Sequence, residues 1–155
     1  MLCKCYFTPM TDFKSESAGF LANHMARLFE KGLQRRIEPL GLAPAQFMAL
    51  LVLWQQDGIT QQDLRLRLDV EQATMANTLK RMERDGLVTR RAHATDKRAR
   101  LVYLTGKARE LQKGALAAAK AQNAQALGGL TVEEREQLVS LMQRVIAKLK
   151  MPDAS

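Results

Sequence analysis

The side chains best suited to chemistry lie between Lys80 and Arg109, where ten Lys and Arg stand against three Asp and Glu. That local excess nearly accounts for the formal charge of +8 on the 155-residue chain. Two groups stand out. Gln72, Thr74, Asn77, Thr78 and Arg81 recur at helical spacing, with Lys80 and Arg84 beside them. Side chains of this type hydrogen-bond base edges: Arg grips guanine bidentately and Asn grips adenine. The second group is Arg90, Arg91, Lys97, Arg98 and Arg100, around the string AHATDKRA. Clustered cations neutralise phosphates, and an Arg enters a narrow minor groove. Asp96, two residues before Arg98, is spaced to orient that guanidinium by a charged hydrogen bond.

Enzymatic chemistry finds no comparable foothold. There are only two His, and no metal-ligand cluster, nucleophile motif or glycine-rich phosphate loop. No catalytic residue, cofactor or metal is therefore expected. Cys3 and Cys5 are one residue apart, which disfavours an intramolecular disulfide. A redox switch through them is a minor alternative.

The elements that must position these groups follow from local signals. Thr60, with Asp63 three residues on, caps a short helix from Gln61 to Leu68. A tight turn at Asp69 and Val70 leads to a second helix from Gln72 to Arg84, whose Met75, Leu79 and Met82 share one apolar face. Gly86 ends it. Strands near Val88–Arg91 and Arg100–Leu104 form a basic hairpin, with Ile59 as a short pairing partner. Helix, turn, helix and hairpin together predict a winged helix-turn-helix.

The flanking segments read as helices with unspent apolar stripes. Ser17 caps a helix to about Glu38, with Phe20, Leu21, Met25, Leu28, Phe29, Leu33 and Ile37 at spacings of three and four. A helix from Pro44 to about Gln56 is apolar around much of its circumference and should be largely buried. Thr105 caps a helix to about Leu127. Thr131 and Glu134 then open a last helix to Lys150, striped by Leu138, Leu141, Met142, Val145, Ile146 and Leu149. These terminal stripes need a common place to bury, and a two-fold dimer joining the chain ends provides one. Apolar residues are 46% and aromatics 5% of the chain, which favours a helical, folded protein. No run approaches a membrane span and the start lacks a signal peptide's apolar core, so cytoplasmic residence and no membrane partner are expected. Met10 offers a second plausible start.

Three strings, GLAPAQFMALLVL, ITQQDLRLRLDVEQATMANTLKRMERDGLVTR and DKRARLVYLT, resemble the MarR family of bacterial transcriptional regulators, and the resemblance spans residues 18–150. A helix ending RDGLV joined to a wing reading D-x-R followed by LT is the specific part. The resemblance implies a homodimer on palindromic double-stranded DNA, usually a repressor, with the helix from Gln72 in the major groove. Arg98 would then reach the minor groove, oriented by Asp96. It also implies a small aromatic or phenolic effector between dimer region and DNA-binding lobe, for which His24, Arg27, Phe47 and Leu51 are the candidate lining. Ala43 departs from the family's usual Ser or Thr cap. Gly106 directly follows Thr105, so Ala108 occupies the usual glycine's place. The family's thiol peroxide sensors carry a reactive Cys early in the first helix, whereas this chain has Met25 and no Cys near that region, so the resemblance does not extend to that chemistry.

The sequence thus predicts a mainly α fold with a small β-hairpin wing. Residues 1–16 form a flexible tail, 17–42 and 105–150 dimerisation helices, 43–104 a winged helix-turn-helix DNA-binding lobe, and 151–155 a C-terminal tail. The function expected is that of a homodimeric, sequence-specific DNA-binding transcriptional regulator, a repressor released by a small-molecule ligand. The alternatives are a non-sequence-specific DNA-binding architectural module and a thiol-responsive regulator through Cys3 and Cys5.

Overall fold

The computed structural model describes residues 13–96 and 99–151. The expectations for Cys3, Cys5, Met10, Lys97 and Arg98 lie outside the described residues. The elements, in chain order, are α1 (Phe13–Glu16), α2 (Ala18–Ile37), a 3-10 turn (Glu38–Leu40), α3 (Pro44–Gln55), β1 (Ile59–Thr60), α4 (Gln61–Leu68), α5 (Gln72–Arg84), β2 (Val88–Ala92), β3 (Arg100–Leu104), α6 (Gly106–Ala126) and α7 (Val132–Lys150).

Capping fixes most of these boundaries. The Ser17 hydroxyl accepts from Phe20 N at 3.2 Å, and the Thr105 hydroxyl accepts from Ala108 N at 3.2 Å. At α7, Thr131 and Glu134 exchange bonds at 2.8 and 3.2 Å. Each satisfies backbone donors that a helix start leaves orphaned. At α3 only the reciprocal half of a capping box forms: Gln46 Oε1 accepts from Ala43 N at 3.0 Å, because Ala43 has no acceptor of its own. Pro44 at the first helical position needs no N–H partner.

The sheet is antiparallel in the order β1-β3-β2. Ile59 pairs with Val102, and Val88 with Leu104 through to Ala92 with Arg100. The core lies beneath it, where Leu50 and Leu53 of α3, Leu64 of α4, Met75, Leu79 and Met82 of α5, and Val102 of β3 are almost wholly excluded from solvent. The α3 helix runs through this core, as its composition predicts, but Met48 on its far side is 47% exposed. Trp54 packs edge-on against Phe47 with ring centroids 6.2 Å apart, and its indole N–H donates to Ala108 O at 3.0 Å. This ties α3 to α6.

The helices at the two ends differ. Ile37 is the one buried residue of α2, and α7 buries none. Leu28, Leu141, Val145, Ile146 and Leu149 are all exposed. In a folded protein most of a helix's stability comes from packing its apolar face, which α7 does not do within the chain. No single helix among the described residues is long and apolar enough to cross a membrane.

Candidate nucleic-acid interface

The supporting helix α4 is held at both ends. The Thr60 hydroxyl accepts from Asp63 N at 3.0 Å and donates to Asp63 Oδ2 at 2.7 Å. At the other end Asp69 adopts φ 52°, the one left-handed non-glycine residue among those described. Asp tolerates this conformation better than most residues. It reverses the chain within the few residues that separate α4 from α5.

The α5 helix divides by burial. Met75, Thr78, Leu79 and Met82 face the core, while Gln72, Thr74, Asn77, Lys80, Arg81 and Arg84 are exposed. Among the described residues, no polar group of the chain engages the side chains of Asn77, Lys80 or Arg81. The outward row Thr74, Asn77, Arg81 follows the i, i+3, i+7 spacing of a single helix face. Thr78 is a correction to the sequence reading. It is 8% exposed, and its hydroxyl donates to Thr74 O at 2.9 Å. One step along the helix turns it inward beside Leu79, where its hydroxyl is satisfied by its own backbone.

Gly86, at φ 69°, supplies the left-handed turn that ends α5. Asp85 just before it is a junction. Its carboxylate accepts from Arg84 Nε at 2.9 Å and Gln46 Nε2 at 2.7 Å, and its carbonyl accepts from Lys107 at 2.8 Å. The Arg84 and Gln46 hydrogen bonds hold the Asp85 carboxyl below its ordinary pKa. Through Gln46, which is 4% exposed, the C-terminal end of α5 is locked to the start of α3.

The wing supplies the second correction. Arg90 does not join the outward cations. Its guanidinium forms an ion pair with Glu83 of α5 and donates to Gln61 Oε1 of α4 at 3.4 Å. Side chains alternate faces along a strand, so Arg90 points the same way as buried Val88. The hydrogen bond from Arg90 pushes the Glu83 carboxyl below its ordinary pKa and raises that of Arg90. Arg90 therefore sets the wing against the two helices. Arg91, on the opposite face, stacks over Tyr103 with its guanidinium carbon 4.9 Å from the ring centroid. At the tip, His93 Nδ1 accepts from Thr95 N and Asp96 N at 3.3 and 3.2 Å, and Ala99 N donates to Asp96 O at 3.1 Å.

A cleft of about 710 Å³ opens between the wing and the helix pair. It brings together Gln72, Asp96 and Arg100 of the expected set, and adds Gln61, Arg65 and His93. Arg65 lies outside the expected set. Its signal in the sequence is a cation next to Leu64 on α4, where it is half-buried at the edge of the cleft.

The cleft beside the wing is lined by none of the four residues expected for an effector cavity, His24, Arg27, Phe47 and Leu51. His24 and Arg27 are exposed on α2, and the His24 ring packs edge-on against Phe20 of its own helix. Phe47 is 3% exposed and packs on Trp54. His24 lies 13 positions before Ile37, where α2 enters the core, a distance of about 20 Å along the helix. Among the described residues no group of three or more His, Cys, Asp or Glu is arranged to hold a metal ion.

A helix-turn-helix with an exposed polar face, flanked by an antiparallel hairpin, defines a winged-helix DNA-binding protein. The family model described as "MarR family" matches residues 42–99. A probable transcriptional regulator from Pseudomonas aeruginosa is 30% identical, with 84% of this chain and 98% of that one covered and a TM-score of 0.79. The transcriptional repressor CouR, solved bound to a 23-mer DNA duplex, is 23% identical at a TM-score of 0.80, with 87% and 96% covered. A mutant MarR from E. coli, solved with operator DNA, is 24% identical at 0.79, with 87% and 98% covered. The chain belongs to the MarR family and is a DNA-binding transcriptional regulator, not an enzyme.

Proposed function

We propose that the chain is a cytoplasmic, homodimeric, sequence-specific repressor that binds palindromic double-stranded DNA and is released by a small aromatic or phenolic ligand. The observation that carries the DNA reading is the outward face of α5, where Asn77, Lys80 and Arg81 have no polar partner within the chain among the described residues. Side chains held on a rigid helix and left unpartnered are available to base edges. The wing approaches the same side, with Arg100 and Gln72 on one cleft. The dimer reading is supported by α7, a helix that buries none of its own residues. Two copies related by a two-fold axis match half-sites about 34–36 Å apart. The ligand part of the reading is supported by the family resemblance alone.

Selection of bound sequences from a random duplex pool tests the proposal. The expected product is an inverted repeat whose affinity exceeds that for unrelated duplex by about 10³ or more at fixed salt. Equal competition by unrelated duplex would leave only an architectural module. From the sequence motif, Arg98→Ala is expected to cost about 1–3 kcal/mol of operator affinity with the dimer intact. Unchanged affinity at matched salt would remove the wing role from Arg98.

A further inference from the structure

A second cleft, of about 500 Å³, lies between α2 and α6 and is lined in part by Lys31, Arg35 and Arg36, with Gln122 and Gln125 opposite. Among the described residues no carboxylate lines it. Among the described residues none of the three cations forms an ion pair. Arg36 is instead held by neutral acceptors: its Nε donates to Gln122 Oε1 at 3.2 Å and its Nη2 to Gln125 Oε1 at 2.5 Å. Two amides thus fix the guanidinium without cancelling its charge. Gln122 is only 9% exposed, so its side chain is committed to this place. Gly32 makes the approach possible, since a Cβ there would lie 2.2 Å from Gln122 Nε2.

A second observation points the same way. Lys31 and Arg35 stand at i and i+4 on α2 and line the same cleft, while Arg27 lies outside it with Glu30 three residues on. Like charges at this spacing repel and weaken a helix. A bound anion would relieve that repulsion, and a fixed guanidinium is suited to clustered anionic oxygens. We infer that the Lys31–Arg35–Arg36 cleft between α2 and α6 is a binding site for a small polyanion, a phosphorylated or polycarboxylate metabolite. The site is separate from the cleft beside the wing and does not depend on the DNA reading.

Calorimetric titration of the full-length chain with inorganic pyrophosphate, and separately with citrate, at fixed ionic strength tests this. Saturable binding of either probe supports the site, and the stronger of the two identifies the class of oxygen donor. Arg35→Gln with Arg36→Gln should weaken it about tenfold or more. Gly32→Ala, which displaces Gln122 but leaves all three cations, should weaken it too. Arg100→Gln, on the wing, should leave the signal in place. Circular dichroism and light scattering on each variant report fold and association. No saturable signal from either probe overturns the proposal, as does binding that follows Arg100 instead of Arg35 and Arg36. A wild-type chain that binds neither probe, with a double variant that changes oligomeric state, would make the cleft a contact between copies and overturn it as well.

Discussion

Leu79 on α5 and Leu141 on α7 occupy similar positions, near the middle of an apolar helical stripe. The first is fully buried, and the second is 44% exposed. The contrast holds for their regions. The lobe of α3–α5 with its sheet sits on a closed core that it shares with Ile37 of α2 and Ala108 and Ala115 of α6, and its polar groups are tied by specific bonds such as Gln46 to Asp85 and Arg90 to Glu83. The end helices have comparable stripes without a surface to cover them. The lobe's apolar faces are covered within the chain, whereas the stripe of α7 is left exposed. The difference teaches that periodicity specifies which face is apolar, but not where that face is buried.

The largest effect should come from disrupting the open stripe. Leu141→Asp with Ile146→Asp should convert the proposed dimer to monomer by light scattering and lower affinity for a palindromic site about 100-fold or more, because two half-sites no longer bind as one unit. A dimer that survives both changes would place the contact elsewhere. Next comes the closed core. Leu79→Ala should cost about 2–5 kcal/mol in urea unfolding, while Val132→Ala, 62% exposed at the start of α7, should stay within about 0.5 kcal/mol. Equal costs would erase the contrast between the two regions. On the outward face of α5, Asn77→Ala or Arg81→Ala should lose about 1–3 kcal/mol of operator affinity and leave the unfolding midpoint in place. A shifted midpoint would mean the face is structural.

The smallest effects concern the wing's attachment. Arg90 and Glu83 are about one-quarter and one-third exposed, so solvent screens their pair. Arg90→Met should cost up to about 1 kcal/mol of stability. It should also leave the salt dependence of DNA binding unchanged, where loss of a phosphate contact would reduce the slope by about 0.9. A reduced slope would return Arg90 to the DNA-facing set. The Glu83 carboxyl is held below its ordinary range by Arg90, so its share of stability is present above the usual Glu pKa of about 4.3 and is lost as pH falls through its lower folded value. Glu83→Gln should flatten that part of the acid-unfolding profile, and an unchanged profile would deny the pair any role in stability.

Much of the interface was legible in the chain itself. The capping residues Ser17, Thr60, Thr105 and Thr131, the stop at Gly86 and the stripe Met75, Leu79, Met82 depend on near neighbours, and they locate the helices almost to the residue. The misassignments came from direction. Thr78 sits one position from an outward residue on a helix that turns about 100° per step, so a small error in the boundary of the face reverses its role. Arg90 carries the same charge as the tip cations, but strand alternation from Val88 points it inward to Glu83.

The order of elements, the caps that delimit them, the location of the positive charge and the family to which these strings belong can all be read from the chain. Those are properties of neighbours within about one helical turn or one strand. Only the tertiary structure decided that Arg90 binds Glu83 and Gln61, that Asp85 joins α5 to α3, and that Arg36 meets two glutamines some 86 and 89 residues away. Such contacts depend on how packed elements align in space, and no local spacing encodes that alignment.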